Sequence, residues 1–287
     1  MKILLTGANG MLAADVKITK PETVSLIETD VDELDITNAN AVDNFCSHEK
    51  PDLILNCAAY TAVDKAEEDK EIAYAVNTTG PKNLAQASAK LNIPFVHIST
   101  DYVFFGDGNA PMKENDKCDP KGVYAKTKRA GELEIEDAGG KWLIVRTSWL
   151  YGSRGNNFPD TMIRLASERD VLTVVNDQKG SPTFSRDLAE ALWKLIELQK
   201  TGYFHFSNSG ECTWFDFAVE TISIAKESGL LPKEKNIDVQ PVTSDKFPRP
   251  APRPAYSVMS LEKYTQTTGE TPRSWQDGLR NYLKLKK

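Results

Sequence analysis

Short apolar segments alternate with longer amphipathic segments through the first half of the chain, and this alternation restricts the folds it can adopt. The apolar segments are four or five residues long and end at polar residues or glycine, as buried strands do. The amphipathic segments repeat apolar residues at three- and four-residue spacing, as helices do. Strands alternating with such helices form right-handed βαβ units and a parallel, doubly wound sheet. The predicted fold class is therefore α/β.

The predicted elements become less regular towards the C-terminus. The predicted strands are residues 2–6, 24–27, 53–56, 95–99 and 142–146, and the predicted helices are residues 39–49, 73–91, 124–137, 187–199 and 214–227. After Trp149 the alternation weakens. Residues 247–254 (FPRPAPRP) cannot form a regular helix or a central strand because of their prolines. Since aromatic and arginine residues flank these prolines, we expect an ordered strap across the molecule.

Charge and composition exclude several classes of function. The chain has 41 acidic and 35 basic residues, a net charge of -6, and no stripe of Lys or Arg that would suit a nucleic acid. Its apolar N-terminal run is too short for a signal peptide, and no segment approaches the length of a membrane span. The four cysteines form no CxxC pair, so neither a metal site nor a disulfide framework is predicted. We expect a cytoplasmic protein that binds neither nucleic acid nor membrane.

A glycine-containing turn follows the first predicted strand directly. The segment TGANGML places Gly7 and Gly10 between strand and helix, with Ala13 at the third position of a Gly-x-x-Gly-x-x-Ala pattern. Glycine lets the backbone turn sharply and approach a pyrophosphate, while the helix N-terminus offers free N–H groups. A turn of this kind also occurs without a ligand, but its place after a buried strand favours a Rossmann-type dinucleotide site.

An acidic residue follows the second predicted strand. Asp30 stands where a carboxylate can accept hydrogen bonds from the adenosine ribose hydroxyls. A carboxylate there would repel a 2′-phosphate, and no arginine is nearby to receive one, so NADH is expected to be usable. The alternative interpretation is that Asp30 and Asp32 only solvate a loop.

A Tyr-x-x-x-Lys pair lies on the predicted helix that follows the fourth strand. Tyr124 and Lys128 are four residues apart, so their side chains share one helix face. The pKa of free tyrosine is about 10, but a neighbouring ammonium stabilises the phenolate and lowers it. Thr100 ends a predicted strand at the carboxyl edge of the sheet, where open α/β sheets bind ligands. Tyr-x-x-x-Lys pairs also arise by chance on exposed helices. The predicted strand end at Thr100, which precedes this pair, favours a catalytic site.

Together the motifs identify a family. They run from residue 2 to about residue 257 and read TGANGxL, LDIT, NCAAYTAVDKAE, STDYVF, YAKTK, VRTSWLYG, NNF, DQxGSPT and PRPAYS. This combination resembles the dTDP-4-dehydrorhamnose reductase family within the extended short-chain dehydrogenase/reductases. The resemblance implies hydride transfer from NADH or NADPH to C4 of dTDP-4-dehydro-β-L-rhamnose, a dTDP-linked 4-keto-6-deoxy sugar.

The resemblance also implies roles for single residues. Tyr124 would protonate the oxygen at C4, Lys128 would hold the nicotinamide ribose and tune Tyr124, and Thr100 would assist at the carbonyl. Asp101 would contact the sugar, and Trp149 would stack against the deoxysugar, with plain core packing as the alternative for this residue. The residues expected at the cofactor, including Gly7 of the turn, are Gly7, Gly10, Met11, Leu12, Asp30, Asp35, Ile36, Ala59, Tyr60, Thr61, Ile98, Tyr124 and Lys128.

The expected domain organisation follows from both arguments. Residues 1–148 are predicted to form the Rossmann-type NAD(P)-binding domain, and residues 149–287 mainly a smaller substrate-binding lobe. In the family the chain crosses between lobes more than once, so segments near 172–204 and 238–256 are expected to rejoin the first domain. Resemblance alone allows a homodimer and a bound Mg²⁺, for which we find no ligand cluster in the sequence. His48, His97 and His205 are interpreted as structural.

Of three alternative functions, the sequence argues against the first and leaves two open. A sugar-nucleotide dehydratase would need an acid/base carboxylate, typically a Glu directly after the Thr-Asp pair, and that position is Tyr102. A regulatory protein is the second, since the β subunit of methionine adenosyltransferase resembles the same family and binds a dinucleotide. The third is a reductase of another nucleotide-linked keto sugar.

Overall fold

The computed structural model describes residues 1–106, 108 and 110–286, and its helices and strands form two lobes. The strands are β1 Lys2–Thr6, β2 Ser25–Thr29, β3 Leu53–Asn56, β4 Phe95–Thr100, β5 Trp142–Thr147, β6 Leu150–Tyr151, β7 Val171–Val175, β8 Lys179–Gly180, β9 Thr183–Phe184, β10 Gly202–His205, β11 Cys212–Thr213 and β12 Asp238–Val242. The helices are α1 Met11–Thr19, α2 Ala39–Glu49, α3 Lys70–Tyr74, α4 Gly80–Leu91, α5 Gly122–Ala138, α6 Phe158–Glu168, α7 Ser185–Glu197, α8 Trp214–Glu227, α9 Glu262–Thr268 and α10 Trp275–Lys284. In the described part of the chain, no helix combines the length and the apolar character that crossing a membrane requires.

The first lobe is built on a six-stranded parallel sheet. Its strand order is β2-β1-β3-β4-β5-β10. The order reverses at β1, because β2 lies on one side of it and β3 on the other. Such a reversal opens a crevice at the carboxyl ends of the strands, where open α/β sheets bind ligands. The predicted α/β class with a doubly wound parallel sheet is confirmed.

Alternate residues of each central strand supply two cores. On β1, Ile3 and Leu5 pack with α1 and α7 on one face of the sheet, whereas Leu4 packs with α2, α4 and α5 on the other. These three side chains are fully buried. Strands that are covered on both faces are continuously apolar, which is why the KILLT and LILN segments show no polar alternation.

The predicted helix at 73–91 is longer and less regular in the structure. It runs from α3 through a π-helical turn at Ala75–Thr79 into α4, which has Pro81 in its first turn. Proline has no N–H to bond the carbonyl four residues earlier, that of Asn77, so regular α-helical pairing is interrupted there. A Cβ at Gly131 of α5 would lie 2.1 Å from this carbonyl oxygen, so the irregular turn is where α5 approaches most closely.

The second lobe has a separate aromatic core and a small parallel sheet. Strands β7 and β12 pair with each other, and α6 and α8 pack beside them. The large side chains of its main core come from four elements, β6, β9, α8 and α10, and are Tyr151, Phe184, Phe217, Trp275 and Tyr282. Helix α7 and strand β10 return to the first lobe, as does Tyr264 of α9.

The returning segments differ in detail from those expected. Of the stretch near 172–204, α7 and β10 join the large sheet, but β7 stays in the second lobe. In the stretch near 238–256, β12 pairs with β7, whereas Ala251, Arg253 and Tyr256 contact Asp64 and Gly106 of the first lobe. The physical reason is the alternation of VLTVV in β7, whose Leu172 and Val174 are buried against the second-lobe helices.

The Pro-rich strap, residues 247–254, is fixed to the first lobe by polar contacts. The Arg253 guanidinium lies 3.0 Å from Asp64 Oδ1, and the Ala251 N–H donates to the same oxygen at 3.3 Å. Arg253 also lies over the ring of Tyr102, 5.8 Å from its centre. The strap therefore runs from the second lobe to a loop of the first, beside the cleft between them.

Candidate active site

Two adjoining cavities lie at the carboxyl ends of the parallel strands. The first, here called the turn cavity, has a volume of about 300 Å³ and is lined by the glycine turn and by the loop after β2. The second, the strand-end cavity, has a volume of about 470 Å³ and is lined by the ends of β4 and β5, by α5 and by α8. Because Gly10, Cys57 and Ala59 line both, the cavities form one continuous cleft.

The glycine turn makes the turn cavity accessible to a ligand backbone. Gly7 has φ +67°, and an added Cβ would lie 2.6 Å from the backbone nitrogen of Ala58. Only glycine fits this conformation and this contact. Gly10 is the N-cap of α1 and provides no side chain there, so the first N–H groups of α1 remain available for an anion.

Carboxylates dominate the polar lining of the turn cavity. Asp30 Oδ2 accepts a hydrogen bond from the Asn9 N–H at 3.0 Å, which ties the end of β2 to the glycine turn. Asp35 Oδ1 accepts from the backbone N–H and the hydroxyl of Thr37. Among the described residues that line this cavity, none is Lys or Arg. Its charge suits a ribose with free hydroxyls better than one carrying a 2′-phosphate.

The strand-end cavity brings Tyr124, Lys128 and Thr100 together. The first two lie one turn apart near the start of α5, and Thr100 is the last residue of β4. Thr100 Oγ1 donates to Asp101 Oδ1 at 2.9 Å and accepts from the Tyr102 N–H at 3.2 Å. All three line the same cavity, so one carbonyl group could contact the phenol and the threonine hydroxyl together.

Burial shifts the acidity of both members of the tyrosine–lysine pair. Burial raises the pKa of Tyr124 to about 12, with a small opposing contribution from the Thr100 hydroxyl. Burial lowers the pKa of Lys128 to about 8, while the charges of Glu132 and Cys57 act in the opposite direction. At neutral pH Tyr124 therefore holds its proton, as a group that is to act as an acid must.

Lys128 is held by two groups of β4. Its Nζ donates to the carbonyl oxygen of Ile98 at 2.7 Å and lies 3.1 Å from Nε2 of His97. His97 is fully buried, and its other ring nitrogen lies 3.0 Å from the side-chain nitrogen of Asn56. The amine of Lys128 thus has a fixed position under the cleft.

Asp101 offers a polar group towards the strand-end cavity. Burial raises the pKa of this carboxyl to about 7. Its Oδ1 accepts from Thr100, whereas its Oδ2 makes no hydrogen bond to any residue that the structure describes. A buried oxygen without a partner suits a ligand hydroxyl, because an unsatisfied buried acceptor is costly.

Trp149 lies between two neighbours on the wall of the cavity. Its ring stacks on Trp214 with 3.5 Å between ring centres and an interplanar angle of 7°. Its backbone has φ +46°, a strained conformation for a bulky residue. Gly180 approaches the same indole, since a Cβ there would lie 2.4 Å from Cε2.

We expect Gly180→Ala to weaken binding of a ligand in the strand-end cavity by about tenfold or more, because misplacing a wall of a binding site by an ångström is costly. The new methyl group would force the Trp149 ring to move, and Trp214 blocks movement on the stacked side. The steady-state KM for that ligand as substrate measures the effect. Gly108→Ala is the matched control, because a Cβ there meets no atom of the described residues within 4 Å. An unchanged KM in Gly180→Ala would contradict the prediction.

Most of the residues predicted for the site line the cleft. Those lining one or both cavities are Gly7, Gly10, Met11, Leu12, Asp30, Asp35, Ile36, Ala59, Thr61, Ile98, Thr100, Asp101, Tyr124, Lys128 and Trp149. Tyr60 lines neither; its hydroxyl donates to Asp69 and its N–H to Asn77. The sequence analysis missed Trp214 and Asn156, which line the strand-end cavity. Trp214 begins a helix remote in sequence, and no local pattern distinguishes it.

A bound Mg²⁺, which the family resemblance allows, would need a group of metal-binding side chains. Within residues 1–106, 108 and 110–286, no group of three His, Cys, Asp or Glu side chains is arranged to hold a metal ion. All four cysteines are free thiols.

Comparison with known proteins identifies relatives along the whole chain. A family model described as the RmlD substrate binding domain matches residues 1–287. The spore coat polysaccharide biosynthesis protein SpsK of Bacillus subtilis is 40% identical over 98% of this chain and 96% of its own.

Two solved structures are similar to this chain over nearly its full length. A dTDP-4-dehydrorhamnose reductase from Clostridium acetobutylicum is 46% identical and covers 99% of each chain with a TM-score of 0.94. A dTDP-4-dehydrorhamnose reductase from Bacillus anthracis in complex with NADP is 38% identical and covers 99% of each chain with a TM-score of 0.93.

Proposed function

Because this chain belongs to the dTDP-4-dehydrorhamnose reductase family and is an NAD(P)-dependent oxidoreductase, we propose that it reduces the C4 keto group of dTDP-4-dehydro-β-L-rhamnose to give dTDP-β-L-rhamnose. The family and the class of enzyme predicted from the sequence motifs are confirmed. The observation that carries the proposal is the meeting of Tyr124, Lys128 and Thr100 at one cavity continuous with the glycine-turn cavity.

The residues of the cleft fit a nicotinamide dinucleotide. Gly7 and Gly10 leave room for a diphosphate beside the N-terminus of α1, and the carboxylate of Asp30 can accept from the adenosine ribose. Lys128 and Ile98 would border the nicotinamide half at the strand-end cavity. The bound cofactor supplies the hydride.

The protein's own groups supply the proton and the orientation. Tyr124 holds its proton at neutral pH, so it can give that proton to the oxygen at C4. By turning from Asp101 Oδ1, the Thr100 hydroxyl can donate to the same oxygen, and Asp101 can accept from a sugar hydroxyl through Oδ2. Tyr102 stands where a dehydratase would need a carboxylate, which favours reduction over water elimination.

A reductase of another nucleotide-linked keto sugar is the second candidate. The Bacillus subtilis relative, named for spore coat polysaccharide biosynthesis, favours it because that name specifies no sugar. The aromatic wall of Trp149 and Trp214 would accept the apolar face of any deoxysugar. The same cavity therefore suits both substrates, and only turnover distinguishes them.

The proposal is tested by following cofactor oxidation with enzymatically generated dTDP-4-dehydro-L-rhamnose and, in parallel, with other nucleotide-linked 4-keto-6-deoxy sugars. We expect turnover with the rhamnose precursor, and the product should co-elute with dTDP-β-L-rhamnose. Turnover only with another sugar would support the second candidate. A protein inert towards all of them with NADH and NADPH would exclude both and favour a role in binding another protein.

Asp30 is expected to set the cofactor preference. We expect both NADH and NADPH to be used, since a related structure holds NADP. We expect the lower KM for NADH, because the described residues that line the turn cavity include two carboxylates and no Lys or Arg. Asp30→Asn should shift the ratio of kcat/KM values towards NADPH by about tenfold, equivalent to about 1.4 kcal/mol. Asp32→Asn, in the same loop but outside the cavity lining, is the control. An unchanged ratio in Asp30→Asn would assign the carboxylate to loop structure alone.

A homodimer is also proposed, on the family resemblance alone. Light scattering of the purified protein tests it, and a mass near the 31.9 kDa of one chain would contradict it.

A further inference from the structure

A line of buried hydrogen bonds connects the Lys128 amine to strands β4, β3 and β1. Thr6 Oγ1 donates to Asn56 Oδ1 at 2.6 Å, Asn56 Nδ2 lies 3.0 Å from His97 Nδ1, and His97 Nε2 lies 3.1 Å from Lys128 Nζ. All four side chains are at least 98% buried. Because water has little access to these side chains, each polar group must find its donor or acceptor within the protein.

The orientation of Asn56 is set by a backbone group. The Ala58 N–H donates to Asn56 Oδ1 at 3.0 Å. A backbone N–H can only donate, so the oxygen of Asn56 must face Ala58 and its NH₂ group must face His97. If the Asn56 amide were rotated by half a turn, its NH₂ group would face the Ala58 N–H, and two donors would be in contact. Asn56 is therefore a donor to His97 Nδ1.

The proton on His97 is then assigned by elimination. Burial holds the pKa of this imidazole well below its usual range, and the charge of Lys128 acts in the same direction, so His97 is neutral. A neutral imidazole has one donor and one acceptor nitrogen. Since Nδ1 accepts from Asn56, the proton is on Nε2, which faces Lys128.

The Lys128 nitrogen must accept this hydrogen bond. An ammonium has three donors and no lone pair, so it cannot accept from His97 Nε2–H. An amine has one lone pair and two N–H groups, of which one can donate to the Ile98 carbonyl at 2.7 Å. Only the amine satisfies both neighbours.

We propose that His97 is a positioning residue, which donates a hydrogen bond from Nε2 to the Lys128 amine and so holds this lysine uncharged in the cofactor-free site. The inference deepens the function proposed above, because it assigns a control of the tyrosine–lysine pair to a residue of β4. The proton that Lys128 would otherwise carry is left with the solvent.

Other charged and titratable groups around Lys128 do not remove this effect. Glu132 and Cys57 favour the charged form, but two arginines bind the Glu132 carboxylate and burial keeps Cys57 a thiol by raising its pKa to about 12. Tyr124, on the same helix face, is a neutral phenol. Burial already lowers the pKa of Lys128 to about 8, and the hydrogen bond from His97 lowers it further.

The consequence for catalysis is a pH dependence. The ammonium form of Lys128 is the one that stabilises the Tyr124 phenolate as it forms, so kcat/KM should fall as pH rises through the pKa of Lys128 in the free enzyme. Removing the His97 donor raises that pKa. The alkaline limb of the profile should therefore move to higher pH when His97 is replaced.

The direct test is the tautomer of His97 in the cofactor-free protein. The chain has three histidines, so ¹⁵N-histidine labelling gives three ring systems in a two-bond ¹H–¹⁵N correlation spectrum. His48→Asn and His97→Asn assign the signals. We expect His97 to carry its proton on Nε2 at about pH 9, where Lys128, whose pKa burial lowers to about 8, is an amine. A proton on Nδ1, or on both nitrogens, would overturn the proposal.

The second readout uses His97→Asn. Asparagine places an oxygen near the Nδ1 position, so it can keep the contact with Asn56 while losing the contact with Lys128. We expect the alkaline limb of kcat/KM to move up by about one pH unit. His48→Asn, at an exposed position, should leave the limb unchanged. A limb that stays in place in His97→Asn would also refute the proposal, even if the overall rate fell.

These outcomes are separable from a failure of the proposed function. The tautomer is measured without substrate, so the result tests the inference even if the protein is inactive. An active reductase with Nδ1-protonated His97 would reject the inference and keep the function.

Discussion

Tyr124→Phe is expected to lower kcat by about 10²- to 10⁴-fold, the range that general acid catalysis contributes. The phenol of Tyr124 holds its proton at neutral pH, because burial raises its pKa to about 12. Phenylalanine keeps the ring and its edge-to-face contact with Tyr102, 5.9 Å between ring centres. Initial rates of cofactor oxidation with the keto-sugar nucleotide measure the loss.

Cofactor affinity separates this chemical effect from damage to the site. Binding of NADH, followed by fluorescence titration, should change little in Tyr124→Phe, since the turn cavity is lined by other residues. The loss should appear in kcat and kcat/KM alike, as for an interaction made only in the transition state. A variant that retains more than about a tenth of the wild-type kcat would mean that another group protonates the product oxygen.

Glu132→Leu is expected to destabilise the fold by about 3–5 kcal/mol, as removal of one partner of a buried ion pair does. Glu132 and Arg146 are 0% and 1% exposed, and two hydrogen bonds of 2.8 Å join them. After the substitution, the remaining contacts of the Arg146 head group include the carbonyl of Glu114, the sulfur of Cys118 and the rings of Phe104 and Tyr203, none of which carries a charge. Urea unfolding followed by circular dichroism measures the change.

An exposed Arg–Glu pair provides the matched control. Arg164 and Glu168 lie one turn apart on α6, about half exposed, with 3.2 Å between Nη1 and Oε1. Glu168→Leu should cost at most about 1 kcal/mol, because solvent screens such pairs. Glu132→Leu combined with Arg146→Leu should recover part of the loss, since no unpaired charge remains. Equal destabilisation by the two single variants would contradict the account.

The first lobe could be predicted closely because local pattern and tertiary structure agree there. The strand KILLT and the helix at 39–49 have the predicted bounds. In each segment the spacing of apolar residues fits only one type of secondary structure. The helix expected at 124–137 extends one or two residues beyond each predicted end, to Gly122 and Ala138. Its register was correct, so Tyr124 and Lys128 share a face at the cavity as expected.

The second lobe could not be predicted to the same degree, because its elements depend on contacts between distant segments. Strands β6, β8, β9 and β11 have two residues each, too few to show a period. Strand β12 contains Pro241 and pairs with β7, more than sixty residues earlier in the chain. Helix α10 carries Trp275 and Tyr282 into the aromatic core, but its sequence gave no prediction.

The sequence by itself determined the α/β class, the glycine turn and the placement of Tyr124 and Lys128 on one helix face, because each depends on residues within one or two turns of chain. Only the tertiary structure decided which groups surround that pair. His97 is a buried strand residue by sequence, and its contact with Lys128 spans 31 positions. Trp149 and Trp214 stack although they lie 65 positions apart in the sequence. Contacts between residues so far apart in sequence produce no periodic pattern, since they depend on how strands and helices pack and not on local spacing.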